Sequence, residues 1–213
     1  MVHKINERGK FTEEEASYLL KQILLAINYC HVHDICHRDI KLDNIMIAEN
    51  LQIKLIDFGA ACLFDPELGM SGKVGTPIYI APEVLRDNEK YNQSSDMYSI
   101  GIVAYTLLLG FFPFPLDIEE DLLDSMIKNG RISNAPLAKL SDEARHFVKS
   151  LLRLDPAGRL SSGMALNHPF IKRNELNQKM VRCKPAIENV KNFTSYSKVK
   201  LLNIVQILIA HKC

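Results

Sequence analysis

The sequence predicts a mainly α domain carrying one small β-hairpin, and three observations support this. An amphipathic repeat runs through residues 11–31, a nearly all-apolar stretch occupies residues 97–109, and strand-like alternation is limited to short runs around residues 45–48 and 53–56. At 213 residues, with 47% hydrophobic and 24% charged content, the chain has an ordinary globular composition and the length to bury a sizeable core.

The elements follow in order. In "FTEEEASYLLKQILLAINYCH", Thr12 and Glu15 fit a capping box, and Leu20, Ile23, Leu24 and Ile27 recur at i, i+3, i+4, i+7. In "IMIAENLQIKLID", two short runs flank Glu49 and Asn50, predicting a hairpin of residues 45–48 with 53–56. "FDPELGMSGKVGTP" reads as an irregular loop of the kind that carries function. "SSDMYSIGIVAYTLLLG" is apolar around most of its circumference and ends on Gly110, as a helix through the centre of a domain would. Two amphipathic helices, "IEEDLLDSMIKNG" and "SDEARHFVKSLLRL", follow, with Ser141 capping the second. A last short helix starts at Ser161 or Ser162. Beyond Lys172 a polar linker gives way to an amphipathic tail, so the expected organisation is a domain over 1–171 and a linker with a regulatory helix over 172–213.

Charge and cysteine usage exclude several classes. A formal net charge of +1 provides no basic field for nucleic acid or a membrane surface. The five cysteines form an odd set without a C-x-x-C pair, against a disulfide framework or zinc site. His31, His33, His146 and His168 lack metal spacing and read as structural or surface residues. The polar start and the lack of an apolar run of about 18 residues indicate neither signal peptide nor membrane span. The expected compartment is the cytoplasm, with the nucleus as second choice.

The densest polar cluster is "CHRDIKLDNIMIAENLQIKLIDFGAA", where His37, Arg38, Asp39, Lys41 and Asn44 precede the hairpin and Asp57 follows it. Phosphoryl transfer needs a carboxylate to orient the attacking hydroxyl, a cation beside the transferred group and oxygen ligands for Mg²⁺. The stretch holds each part. With HRDIKLDN at 37–44, DFG at 57–59 and APE at 81–83, in that order, the chain resembles the eukaryotic serine/threonine protein kinases.

The resemblance implies roles position by position. Asp39 matches the base, Lys41 the cation beside the phosphoryl group, and Thr76 the threonine that bonds to both. Asn44 and Asp57 match the Mg²⁺ ligands, and Met46 falls where the family supplies an apolar floor for the adenine of ATP. Phe58 would pack on His37. Glu83 and Arg159 match a buried ion pair, and Asp96 matches the acid that bonds to the catalytic-loop backbone. Tyr98 departs from the Trp usual at its position. Lys41 and Thr76 imply protein substrates phosphorylated on Ser or Thr, and Ser71 is the nearest candidate for phosphorylation in the loop.

The resemblance is to the C-terminal lobe of a kinase. Residues before Thr12 leave no room for a Gly-rich loop or the strand lysine, so the N-terminal lobe is expected to be absent and the chain inactive alone. "AIENVKNFTSYSKVKLLNIVQILIA" resembles the junction segment of calcium-dependent protein kinases. That implies a calmodulin-like EF-hand partner binding through residues 186–212 by a helix-in-groove mode. The alternative is a non-catalytic kinase-like lobe that docks partners or a calcium sensor.

Overall fold

The computed structural model describes residues 1, 2, 5, 7, 9–48, 51–86 and 89–177. The chain divides into two compact units, Met1–Asn174 and Glu175–Cys213. The expected junction helix over residues 186–212 lies outside the described residues.

Helix α1, Glu13–His31, starts on the expected capping box: Thr12 Oγ1 accepts from Glu15 N at 3.2 Å, and the Glu15 carboxylate accepts from Thr12 N at 3.1 Å. Such a cap contributes about 1 kcal/mol. Leu20, Ile23, Leu24 and Ile27 form its fully buried stripe. Burial of this face, more than helix propensity, holds an element of this length in place.

Four short strands follow: β1 Ile35–Cys36, β2 Ile45–Ile47, β3 Ile53–Leu55 and β4 Cys62–Leu63. The β2–β3 hairpin matches the expected register region, with Ile45 opposite Leu55 and Ile47 opposite Ile53. Gln22 of α1 clamps it, donating from Nε2 to Leu51 O at 2.9 Å and accepting from Ile53 N at 3.2 Å. The antiparallel β1–β4 pair was not visible in the sequence, because two residues are too few to show a period.

Residues 64–93 lead into the centre through two 3₁₀ turns, Pro77–Tyr79 and Pro82–Leu85. Helix α2, Ser94–Leu109, is buried from Ser95 to Leu108 and ends at Gly110, whose φ of 86° is the left-handed cap glycine allows. Its circumference is apolar because α1, the Pro77–Tyr79 turn and a later helix, Asp142–Leu151, all pack on it. Gly101 permits the closest of these approaches: a Cβ there would lie 2.7 Å from Leu152 Cδ2 and 3.0 Å from Leu151 Cβ.

Helices α3, Glu120–Lys128, and α4, Asp142–Leu151, follow. Ser141 caps α4, accepting from Ala144 N at 3.3 Å, and Glu13 of α1 accepts from both the N–H and hydroxyl of Ser141 at 2.8 and 2.7 Å. Helix α5, Ser162–Leu166, is capped by Ser161, and α6, Pro169–Asn177, runs past the position where the sequence changes character. The His168 ring caps α6, its Nδ1 accepting from Phe170 N at 3.2 Å.

Candidate active site

The segment from His37 to Asn44 is organised from beneath by one carboxylate. Asp96, in the first turn of α2 and 1% exposed, accepts from His37 N at 2.9 Å and Arg38 N at 2.8 Å. His31 Nε2 at 2.9 Å and Cys36 Sγ at 3.3 Å complete its set. Burial pushes this carboxyl up, but the bond and charge of His31 and the His37 contacts outweigh it and hold its pKa below the ordinary value. The backbone grip of Asp96 was expected; His31 and Cys36 were not, since nothing in their spacing marks them as its donors.

Above Asp96 the backbone takes left-handed conformations at two non-glycine residues, Arg38 with φ 63° and Asp57 with φ 62°. Both are uncommon for such side chains and persist only where surroundings over-determine them. Arg38 is fixed by Asp96 and by its own Nε, which donates to Ala60 O at 2.7 Å. Asp57 Oδ1 accepts from Gly59 N at 3.1 Å.

Between these two bends, Asp39, Lys41 and Thr76 close a triangle. Thr76 Oγ1 donates to Asp39 Oδ1 at 2.7 Å, Lys41 Nζ donates to Thr76 Oγ1 at 2.8 Å, and Lys41 Nζ lies 2.8 Å from Asp39 Oδ2. Asn44 Nδ2 donates to Asp39 O at 2.9 Å and Oδ2 at 3.1 Å. Burial pushes the Asp39 carboxyl up, but the bonds from Lys41, Thr76 and Asn44 and the Lys41 charge outweigh it, leaving its pKa below the usual carboxylate value. It is therefore an ionised acceptor at neutral pH.

His37 supports the triangle from behind. Asp39 N donates to its Nδ1 at 3.3 Å, so Nε2 carries the proton and donates to Ile56 O at 3.3 Å. Burial lowers its pKa and favours that neutral form, against the charges of Asp96 and the other nearby carboxylates. The His37 and Phe58 rings pack at 4.7 Å between centroids.

Asn44 and Asp57 are brought together by the hairpin. Ile56 N donates to Asn44 O at 2.9 Å, placing Asp57 one residue beyond that bond. Because Nδ2 of Asn44 is committed to Asp39, its Oδ1 is the end left to accept or ligate. One amide oxygen and one exposed carboxylate form a partial oxygen donor set, which suits Mg²⁺, an ion that keeps several waters and substrate oxygens. Among the described residues no group of three or more His, Cys, Asp or Glu could hold a metal. Met46 lies exposed on β2, beside the buried Ile45.

Two further features tie the loop down. Glu83 and Arg159 form a buried two-pronged pair at 2.6 and 2.9 Å, with Arg159 also donating to Ser94 O and Arg153 O. Lys73 reaches Glu120 and Asp124 of α3, each at 2.7 Å, a contact with no signal in the sequence.

A mainly helical domain that holds an H-R-D segment on one buried carboxylate, followed in order by D-F-G and A-P-E segments, has the arrangement of the protein kinases, a class of phosphotransferases. The chain belongs to the protein kinase family: the protein kinase domain model matches residues 1–171. It is 36% identical over 208 residues to calcium-dependent protein kinase 3 of Plasmodium yoelii yoelii, covering 93% of this chain and 38% of that protein. It is 37% identical over 172 residues to CDPK-related kinase 5 of Arabidopsis thaliana, covering 79% and 28%. With calcium-dependent protein kinase 7 of Oryza sativa subsp. japonica it shares 33% over 204 residues, covering 93% and 37%. Within that family the chain resembles the calcium-dependent protein kinases and a CDPK-related kinase. It spans well under half the length of these three relatives. The expectation of an absent N-terminal lobe finds no support in the family match, which covers residues 1–171 as a kinase domain. Among the described residues no helix is long and apolar enough to cross a membrane.

Proposed function

We propose that this chain carries the catalytic-loop and metal-ligand half of a calcium-dependent serine/threonine protein kinase. The observation that carries this reading is the closed triangle of Asp39, Thr76 and Lys41. Asp39, ionised and held on three sides, accepts the hydrogen bond of the substrate hydroxyl and aims its oxygen. Lys41 sets an ammonium beside the transferred group, and Thr76 fixes both side chains in one geometry. Asn44 and Asp57 would hold Mg²⁺, which when bound neutralises charge on the phosphates of ATP. Met46 offers its exposed thioether to the adenine. The protein substrates carry Ser or Thr.

The decisive experiment is turnover by the full-length protein containing this chain. Asp39→Ala and Asp57→Ala should each reduce phosphorylation on the order of 10²–10⁴-fold, since one removes hydroxyl orientation and the other a metal ligand. Near-normal phosphorylation by either variant would sink the kinase reading of the site.

A second reading rests on a specific feature. The 213 residues contain no G-x-G-x-x-G run, so phosphate cover must come from another part of the protein or from nowhere. Acting alone, the chain would be a docking module. In that case millimolar Mg-ATP should give no thermal shift, because stabilisation requires ligand well above its dissociation constant. Residues 186–212 supply its expected partner site, with Lys191, Lys198 and Lys200 beside Phe193, Leu201 and Leu202. A peptide of those residues should bind a calcium-loaded EF-hand domain and release it on chelation. Calcium-independent binding would remove the sensor assignment.

A further inference from the structure

The strand pair that the sequence did not reveal places two thiols at one register position. β1 and β4 run antiparallel with Cys36 directly opposite Cys62. Opposite residues in such a ladder project to the same face, with Cα atoms roughly 4.5–5.5 Å apart. That lies inside the span of about 4.4–6.8 Å that a disulfide bridges. Tyr91 supports the shared face. Burial raises the pKa of its phenol, and it lies close enough to both Cys36 and Cys62 for charge on either to raise it further.

The two thiols differ in access. Cys36 is fully buried and donates to Asp96 Oδ2 at 3.3 Å; burial first, and then the Asp96 charge, push its pKa well above the usual range. Cys62 is half-buried, its Sγ 3.3 Å from Met70 Sδ. An oxidant therefore meets Cys62 first, and Cys36 waits one strand away.

We propose that Cys36 and Cys62 are a thiol pair that a peroxide converts to a reversible disulfide, tying the strand before the catalytic loop to the strand after D-F-G. In the first step the Cys62 sulfur attacks a peroxide oxygen and the O–O bond breaks. The departing oxygen takes a proton to leave as water or alcohol, and Cys62 becomes a sulfenic acid. In the second step Cys36 Sγ attacks that sulfur, the S–O bond breaks, and the leaving hydroxide takes the Cys36 proton as water. Two electrons pass from the thiols to the peroxide, and any dithiol reductant reverses the bond by exchange. The high Cys36 pKa slows the second step, which held proximity offsets.

The bond has a structural consequence. Cys36 gives up its donation to Asp96, and Cys62 leaves Met70. Met70 anchors the loop through paired bonds with Tyr91, N to O at 2.9 Å in each direction, and Tyr91 Oη donates to Gly72 O at 3.3 Å. Oxidation thus loosens the segment that delivers Thr76 to Asp39. The thiol chemistry is independent of phosphoryl transfer, and only its effect on turnover rests on the function proposed above.

The test is peptide mapping of the full chain after hydrogen peroxide, digested with trypsin without reductant. The expected product joins residues 22–38 to residues 55–73, is lighter by two hydrogens, and disappears on reduction. Because residues 22–38 contain both Cys30 and Cys36, fragmentation must place the link on Cys36. Limited proteolysis within residues 64–75 should accelerate in the oxidised form and return to the starting rate on reduction. Cys62→Ser should abolish the linked peptide, and Cys36→Ala provides the same control from the buried side. A link through Cys30, Cys183 or Cys213, a bond between two chains, or oxidation of Cys62 with no link would each overturn the proposal.

Discussion

Thr76 Oγ1 donates to Asp39 Oδ1 at 2.7 Å while accepting from Lys41 Nζ at 2.8 Å, so one hydroxyl sets the spacing of a carboxylate and an ammonium. Thr76→Val keeps the shape and removes both bonds. In the full-length protein it should lower turnover on the order of 10²-fold, the scale of an ångström of misplacement, with Thr76→Ser retaining most activity. Equal rates for the Val variant and the parent would show the triangle to be incidental.

Gly75 explains how Thr76 arrives there. Its φ is 121°, and a Cβ would lie 2.7 Å from Arg38 O, so the loop backbone packs directly on the catalytic-loop backbone. Gly75→Ala should cost roughly 1–3 kcal/mol in urea denaturation, and the displaced Thr76 should depress activity further than the stability loss explains.

The Glu83–Arg159 pair is almost fully buried on both sides. Removing one partner leaves an uncompensated buried charge, and Glu83→Ala should destabilise by roughly 3–5 kcal/mol. The double variant Glu83→Met with Arg159→Met should be less damaging than either single change, because no lone charge remains. Additive losses in the denaturation midpoint would contradict this.

Tyr98 is fully buried, its hydroxyl has no hydrogen-bond partner among the described residues, and its ring lies 5.2 Å from the Arg159 guanidinium carbon. Tyr98→Phe keeps the ring under the cation and removes the unpaired hydroxyl, so stability should hold or rise by about 1 kcal/mol. A marked fall in melting temperature would reveal an undetected partner for that oxygen.

Acid should act on α6 through His168. Burial, then the neighbouring His146, lower its pKa from 6.5, while Glu143 works in the opposite direction. The unfolded chain therefore takes this proton first as pH falls. Stability is complete above about 6.5 and drains away below it, until the folded ring also protonates. Protonation also removes the acceptor for Phe170 N at the start of α6. His168→Asn, which can cap without titrating, should flatten the fall in melting temperature between neutral and mildly acidic pH. An unchanged pH dependence would move its origin elsewhere.

The elements whose signal is local were legible in the sequence. The Thr12–Glu15 box, the Leu20 to Ile27 stripe of α1, the Ser141 cap and the all-round apolar α2 each announce themselves within one or two turns, because helical periodicity and caps are set by neighbours in the chain. The motif residues were legible too, as an ordered set. Tertiary structure decided which of them meet. Thr76 is 37 residues from Asp39 and touches it only because Gly75 lets two backbones close together and Asp96 holds the catalytic loop from below. The left-handed turns at Arg38 and Asp57 leave no compositional mark: arginine does not favour that region, and aspartate, though enriched there, occupies it at only a few of its positions. The β1–β4 pair and the Lys73 link to α3 were likewise hidden: a two-residue strand has no period, and an ion pair across 47 or more residues has no register until the chain between is packed. Local free energies are written in adjacent residues, whereas a site built from distant ones exists only once the core has fixed their separations.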